Sequence, residues 1–136
     1  MSDLPFRVET EVRFRDLDAV GHVNNAVYAT YCEQARVRFF EDVVGVRSTD
    51  LSVVLASVEL QYRRPIEGIG TVTVDLGVTE IGNASFTMAY ELAYEGEVVA
   101  TGESVQVVVD PETRESARVP DSWREAVAEF VATSDD

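Results

Sequence analysis

With 136 residues and an apolar fraction of 46%, the chain has the size and composition of one globular domain, residues 1–136. Its net charge is −14 and all 11 basic residues are arginine, so no basic stripe exists to neutralise nucleic-acid phosphates. A lone cysteine, Cys32, and a lone histidine, His22, exclude an intrachain disulfide and supply no metal cluster.

Phe6, Val8, Thr10, Val12 and Phe14 alternate with Arg7, Glu9, Glu11, Arg13 and Arg15, so residues 6–15 read as a half-buried strand. Next comes Arg15-Asp16-Leu17-Asp18-Ala19-Val20-Gly21-His22-Val23-Asn24-Asn25-Ala26-Val27-Tyr28, which gathers acidic, imidazole and amide residues around a glycine. A strand-to-helix junction of this kind can aim backbone N–H groups and a carboxylate at one reacting atom. From Asn25 to about Val44 the period changes. Tyr28, Tyr31, Cys32, Ala35, Phe39 and Val43 recur at three- and four-residue steps, which predicts a helix with one apolar stripe, roughly 30 Å long. Asn24 or Asn25 can cap its start, and Gly45 suits the C′ position.

Four strands follow. Residues 53–64 form a dense apolar run ending in Tyr62-Arg63-Arg64-Pro65, and residues 71–80 alternate through Val72, Val74, Leu76 and Val78. Residues 84–94 place Phe86, Met88, Tyr90, Leu92 and Tyr94 on one face; residues 98–109 place Val99, Thr101, Glu103, Val105, Val107 and Val109 on one face. Gly68 and Gly70, Ile81-Gly82-Asn83 and Glu95-Gly96-Glu97 supply the turns, and Asp110-Pro111-Glu112-Thr113 ends the sheet. A short helix from about Asp121 to Ala132 brings Trp123, Val127 and Phe130 onto it. This order predicts an α+β fold in which a long central helix is wrapped by a curved five-stranded antiparallel sheet. Open edges of such a sheet are commonly closed by a second copy of the chain.

The segment Asp16-x-Asp18-x-x-Gly21-His22-Val23-Asn24-Asn25-x-x-Tyr28, followed by Tyr31-x-Glu33-x-Ala35-Arg36, resembles the 4-hydroxybenzoyl-CoA thioesterase family of hot-dog-fold proteins. It is most similar to the acyl-CoA and acyl-carrier-protein thioesterases that carry a D-x-x-x-H-V-N-N segment. Arg63-Arg64-Pro65-Ile66-x-Gly68, Ala84-Ser85-Phe86-Thr87 and Val99-Ala100-Thr101-Gly102 extend the likeness over nearly the whole chain.

The resemblance implies hydrolysis of an acyl-CoA thioester. Asp18 then supplies the catalytic carboxylate, as nucleophile or as general base. The backbone N–H near Asn25, at the positive end of the helix, polarises the thioester carbonyl, and His22 assists. Taken by itself, Asp18 can equally form an Asx turn before the helix. Tyr28 is expected beside the acyl tunnel. Ser57, Val58 and Glu59 match the region through which a second subunit completes the pocket in many members, and Arg63 and Arg64 are candidates for the coenzyme A phosphates. Cys32, on the apolar stripe, reads as core.

No metal or redox cofactor is implied; coenzyme A is part of the substrate. The expected partners are an acyl-CoA and further copies of the chain, as a homodimer or homotetramer, with neither nucleic acid nor membrane. A non-catalytic acyl-thioester binding module and a hot-dog hydratase or dehydratase are the alternatives. Met1-Ser2-Asp3-Leu4-Pro5 has neither a basic nor an apolar signal region, so a cytoplasmic location is expected. The acidic surplus, with no lysine, fits a protein adapted to a salt-rich cytoplasm, because the Debye length at 1 M salt is only about 3 Å.

Overall fold

The computed structural model describes residues 4–45 and 52–131. Its elements are β1 (Phe6–Val12), α1 (Val27–Phe39) with a π-helical turn over Phe40–Val44, β2 (Val53–Tyr62), β3 (Gly70–Ile81), β4 (Ser85–Tyr94), β5 (Glu97–Val108) and α2 (Asp121–Val127). One antiparallel sheet contains all five strands in the order β1-β3-β4-β5-β2, which leaves β1 and β2 as its edges. Between these edge strands the chain runs through α1. Among the described residues no helix is long and apolar enough to cross a membrane.

The apolar stripe of α1 is the core. Tyr28, Tyr31, Cys32, Ala35 and Phe39 are all buried, against Val72, Val74, Leu76 and Val78 of β3 and Phe86, Met88, Tyr90 and Leu92 of β4. Each large aliphatic or aromatic side chain among them contributes about 1.5–3 kcal/mol relative to exposure. Burial pushes the Cys32 thiol up to about 12, which agrees with its reading as core. Phe39 meets Phe6 and Phe130 edge-on, at centroid distances of 5.3 and 5.6 Å, so β1, α1 and the turn after α2 share one aromatic junction. Gly45 ends the helical run in the left-handed region, φ +86°, with its N–H on the Phe40 carbonyl, as expected for C′.

Three expectations need correction. β1 stops at Val12, because Arg13 leads into a tight 3-10 turn over Phe14–Asp16, and Phe14 is 85% exposed rather than on the buried face. The helix starts at Val27, two residues later than Asn25, for reasons given below. On β5 the odd-numbered residues were expected inward. Val99 is buried as expected, but from Ala100 on the inward face is the even-numbered one: Ala100, Ser104, Gln106 and Val108 are buried, while Val105 and Val107 are half-buried.

The register shift between Leu92 and Ala93 on β4 lies opposite Val98–Ala100 and changes the pairing parity. The polar pair Ser104 and Gln106 therefore points beneath the helix. A chain of hydrogen bonds from Arg36 through Tyr90, Ser104 and Gln106 to the Phe86 carbonyl satisfies both. The resulting architecture is the hot-dog arrangement that the motif resemblance implies.

Candidate active site

The two aspartates of the Asp16-x-Asp18 pair have different surroundings. Asp16 is 3% exposed and accepts the Arg13 N–H at 2.8 Å, the Arg13 guanidinium at 3.3 Å and the Tyr31 hydroxyl at 2.9 Å. Burial alone would push its pKa up, but these donors hold it below the usual carboxylate value. Its backbone carbonyl accepts the Asn24 N–H at 2.9 Å, closing a hairpin over residues 17–23 in which Leu17 bridges Val23.

Asp18 and His22 turn that hairpin. The Asp18 N–H donates to the His22 carbonyl at 2.7 Å, and the Gly21 N–H to the Asp18 carbonyl at 3.1 Å. Gly21 sits at φ +83°, where a side chain would be strained. Asp18 Oδ1 accepts the N–H groups of Val20 and His22, at 2.9 and 3.1 Å. Oδ2 accepts from no described residue, and the side chain is exposed. The Asx turn and an available carboxylate oxygen thus coexist in one residue.

At the start of α1 the N–H groups are accounted for one by one. Asn24 donates to Asp16, Ala26 to Asn24 Oδ1, Val27 to the Asn24 carbonyl and Tyr28 to the Asn25 carbonyl. The expected cap by Asn24 or Asn25 is not formed: Asn24 closes an Asx turn ahead of the helix, which starts at Val27 after Ala26 with no side-chain cap. Within Asn24–Tyr28 only the Asn25 N–H has no partner among the described residues. It lies on the N-terminal, partially positive side of a 13-residue helix, where an oxyanion is stabilised.

The loop after β2 holds the hairpin from outside. Val23 donates to the Ile66 carbonyl at 2.9 Å and Gly68 to the Gly21 carbonyl at 3.1 Å. These bonds bring Glu67 opposite His22, with Nε2 to Oε2 at 3.1 Å. Tyr28 is buried, with its hydroxyl 3.5 Å from the Arg64 carbonyl, and burial pushes its phenol up. The Tyr62 ring meets the Tyr28 ring edge-on at 5.0 Å, and its hydroxyl donates to the Asn25 carbonyl at 2.9 Å. Sequence reasoning passed over both Tyr62 and Glu67. The only signal for either was the Tyr-Arg-Arg-Pro turn itself.

The remaining candidates are spread out. Cross-strand partners share a face, so Val58, opposite Ser104, faces the helix side. Ser57 and Glu59 face the other side, with Glu59 opposite Glu103. Within one chain the structure does not bring those two to the Asp18 hairpin. Arg63 and Arg64 both donate their N–H to the Val99 carbonyl where β2 leaves the sheet, and both side chains are exposed. The Arg64 guanidinium pairs with Glu97 at 3.4 Å, whereas that of Arg63 has no ion-pair partner among the described residues. Two recesses adjoin the elements that carry these groups. One of about 210 Å³ lies between α1 and β2, lined by Glu33, Arg36, Val37, Phe40, Val53, Leu55 and Gln106. The other, about 220 Å³, is bounded by Arg64, Glu67, Tyr94, Glu95 and Glu97.

This hairpin-and-helix site lies within residues 12–127, which match the thioesterase-like superfamily. The chain belongs to that superfamily. A thioesterase from Thermus thermophilus, solved in complex with coenzyme A and zinc, superposes with a TM-score of 0.87 at 36% identity, covering 96% of each chain. The 1,4-dihydroxy-2-naphthoyl-CoA hydrolase of Synechococcus elongatus is 26% identical over 95% of this chain and all of its own length. The long-chain acyl-CoA thioesterase FadM of Escherichia coli is 26% identical over 92% of this chain and 98% of its own. With thioesterases and a thioester hydrolase as its relatives and structural neighbours, the chain is an enzyme of the thioester hydrolase class. Among the described residues no group of three or more His, Cys, Asp or Glu is placed to hold a metal ion.

Proposed function

We propose that this protein hydrolyses an acyl-CoA thioester to the free acid and coenzyme A. Asp18 supplies the carboxylate, the Asn25 N–H receives the developing oxyanion, and His22, steadied by Glu67, assists. The observation that carries this reading is the open Asn25 N–H beside a hairpin whose aspartate keeps one carboxylate oxygen unpartnered. Oδ2 either attacks the carbonyl carbon to form a mixed anhydride or takes a proton from the attacking water. In both routes the C–S bond breaks and the thiolate leaves; on the first, water then hydrolyses the anhydride to the free acid and restores Asp18. The acyl group lies along α1 towards the recess beside β2. No metal or redox cofactor takes part. Coenzyme A in the complex of the Thermus relative, and the acyl-CoA substrates named for the other two, support the substrate class.

A homodimer, or a dimer of dimers, completes the site in this reading. β2 is a ten-residue edge strand that exposes Val54, Leu55, Val58 and Tyr62, the kind of edge that a second copy covers. Sedimentation in molar KCl should give a dimer or a larger even assembly.

The activity is tested by thiol release with Ellman's reagent, using short- to long-chain acyl-CoA thioesters and benzoyl-CoA in molar KCl. Release from at least one is expected. Loss of enoyl-thioester absorbance without thiol release would point to a hydratase. Saturable binding without turnover would point to a binding module.

A further inference from the structure

Asn25 is flanked by two peptide planes, and each plane is rigid because its C–N bond has partial double-bond character. The plane before it presents the Asn24 carbonyl to Val27 and leaves the Asn25 N–H open. The plane after it is held at both ends. Its N–H, from Ala26, donates to Asn24 Oδ1 at 2.9 Å, and its carbonyl, from Asn25, accepts the Tyr62 hydroxyl at 2.9 Å. Tyr62 reaches this point from the last position of β2, and its ring rests edge-on against the buried Tyr28. The helix itself grips the Asn25 carbonyl only loosely, through the Tyr28 N–H at 3.3 Å. A side chain from the edge strand therefore holds the residue whose N–H is open.

We propose that Tyr62 is a positioning residue for thioester hydrolysis: by holding the Asn25 carbonyl, its hydroxyl restrains the plane after Asn25 and, with the Val27 bond on the plane before it, fixes the direction in which the Asn25 N–H points at the substrate carbonyl. This rests on the reading of that N–H as the oxyanion donor. The donor must meet the oxygen where charge develops in the transition state, so misaiming it slows the chemical step and leaves ground-state binding nearly unchanged.

Tyr62→Phe removes the hydroxyl and keeps the ring on Tyr28. With the acyl-CoA that wild type hydrolyses fastest, kcat should fall roughly ten-fold while KM stays within about two-fold, as expected for loss of an interaction made in the transition state. The thermal midpoint should stay near wild type, and NMR relaxation of the substrate-free protein should show the Asn25 amide becoming more mobile. Gln61→Ala, on the opposite face of the same strand, controls for disturbance of β2 and should leave kcat unaltered.

An unchanged kcat in Tyr62→Phe, with wild type active, would overturn the proposal. So would a fall in kcat accompanied by general loss of stability and an Asn25 amide no more mobile than before. If wild type releases no thiol from any substrate of the set, the hydrolysis reading fails and the role assigned to Tyr62 fails with it. The NMR result would then still tell whether the hydroxyl orders Asn25.

Discussion

Asp16 and Asp18 are two residues apart and have the same side chain, yet their surroundings leave one carboxylate fully engaged and the other partly available. Asp16 is buried, with three donors on its carboxylate and its carbonyl tied to Asn24. Asp18 is exposed and spends one oxygen on its own turn. A carboxylate saturated with fixed donors is a poor base and a poor nucleophile; one with an oxygen to spare can be either. The same division recurs at Arg63 and Arg64, where one guanidinium is paired and its neighbour is not. In each pair one side chain is engaged and its neighbour is available.

The sharpest way to break this comparison is to exchange each aspartate for asparagine. Asp18→Asn keeps an Oδ1 acceptor for Val20 and His22, so the turn survives, and the thermal midpoint should barely move. Hydrolysis should fall roughly a hundred- to ten-thousand-fold, the range for loss of a general base. Retention of activity within a factor of a few would leave Asp18 as a turn former and nothing more. Asp16→Asn should do the reverse. It sets an amide against the Arg13 N–H and guanidinium and should cost about 1–3 kcal/mol of stability, read by urea unfolding. Activity of the fraction still folded should stay near wild type.

Asp16 also has a pH signature. Its pKa is lowered by folding, so its contribution is fully present above the unfolded carboxylate value, near 3.9, and is lost as pH falls through the lower folded value. Wild type should therefore lose stability below about pH 4 more steeply than Asp16→Asn does. Parallel acid-unfolding curves would mean that the donors around Asp16 confer no linked stability.

The sequence showed the elements more faithfully than their faces. The helix stripe from Tyr28 to Phe39 was legible because its period holds over that whole stretch, up to the π-helical turn that leads into Gly45. The inward face of β5 was not, because a register shift opposite Val98–Ala100 inverts the parity, and valines alternate convincingly in either register. The hairpin was legible as a motif but not in its division of labour. Which aspartate is buried depends on Tyr31, fifteen residues on and reached only through the fold. Tyr62 and Glu67 were missed for the same reason. Their partners, Asn25 and His22, lie 37 and 45 residues away, where no local pattern points.

The contrast between the two aspartates can be extended to the whole surface. Among the described carboxylates only Asp16 and Asp75 are buried. The chain as a whole carries a net charge of −14, and repulsion among its exposed carboxylates is screened once the Debye length falls to about 3 Å in molar salt. The thermal midpoint should therefore rise from dilute buffer to molar KCl. Equal midpoints would remove the idea of adaptation to a salt-rich cell.

Salt also sharpens the comparison of the arginines. On the reading that Arg63 and Arg64 meet the coenzyme A phosphates, removing either in dilute buffer lowers the local positive charge by one, so long-range attraction suffers alike. Molar KCl screens that shared effect and leaves short-range contacts. There Arg63→Ala should raise KM about three- to ten-fold, equivalent to roughly 0.7–1.4 kcal/mol of binding. Arg64, already engaged with Glu97, should give the smaller rise. Equal effects of the two variants in molar KCl would mean that the Glu97 pair opens when substrate binds, and the paired and unpaired guanidinium groups would then be equivalent in the complex.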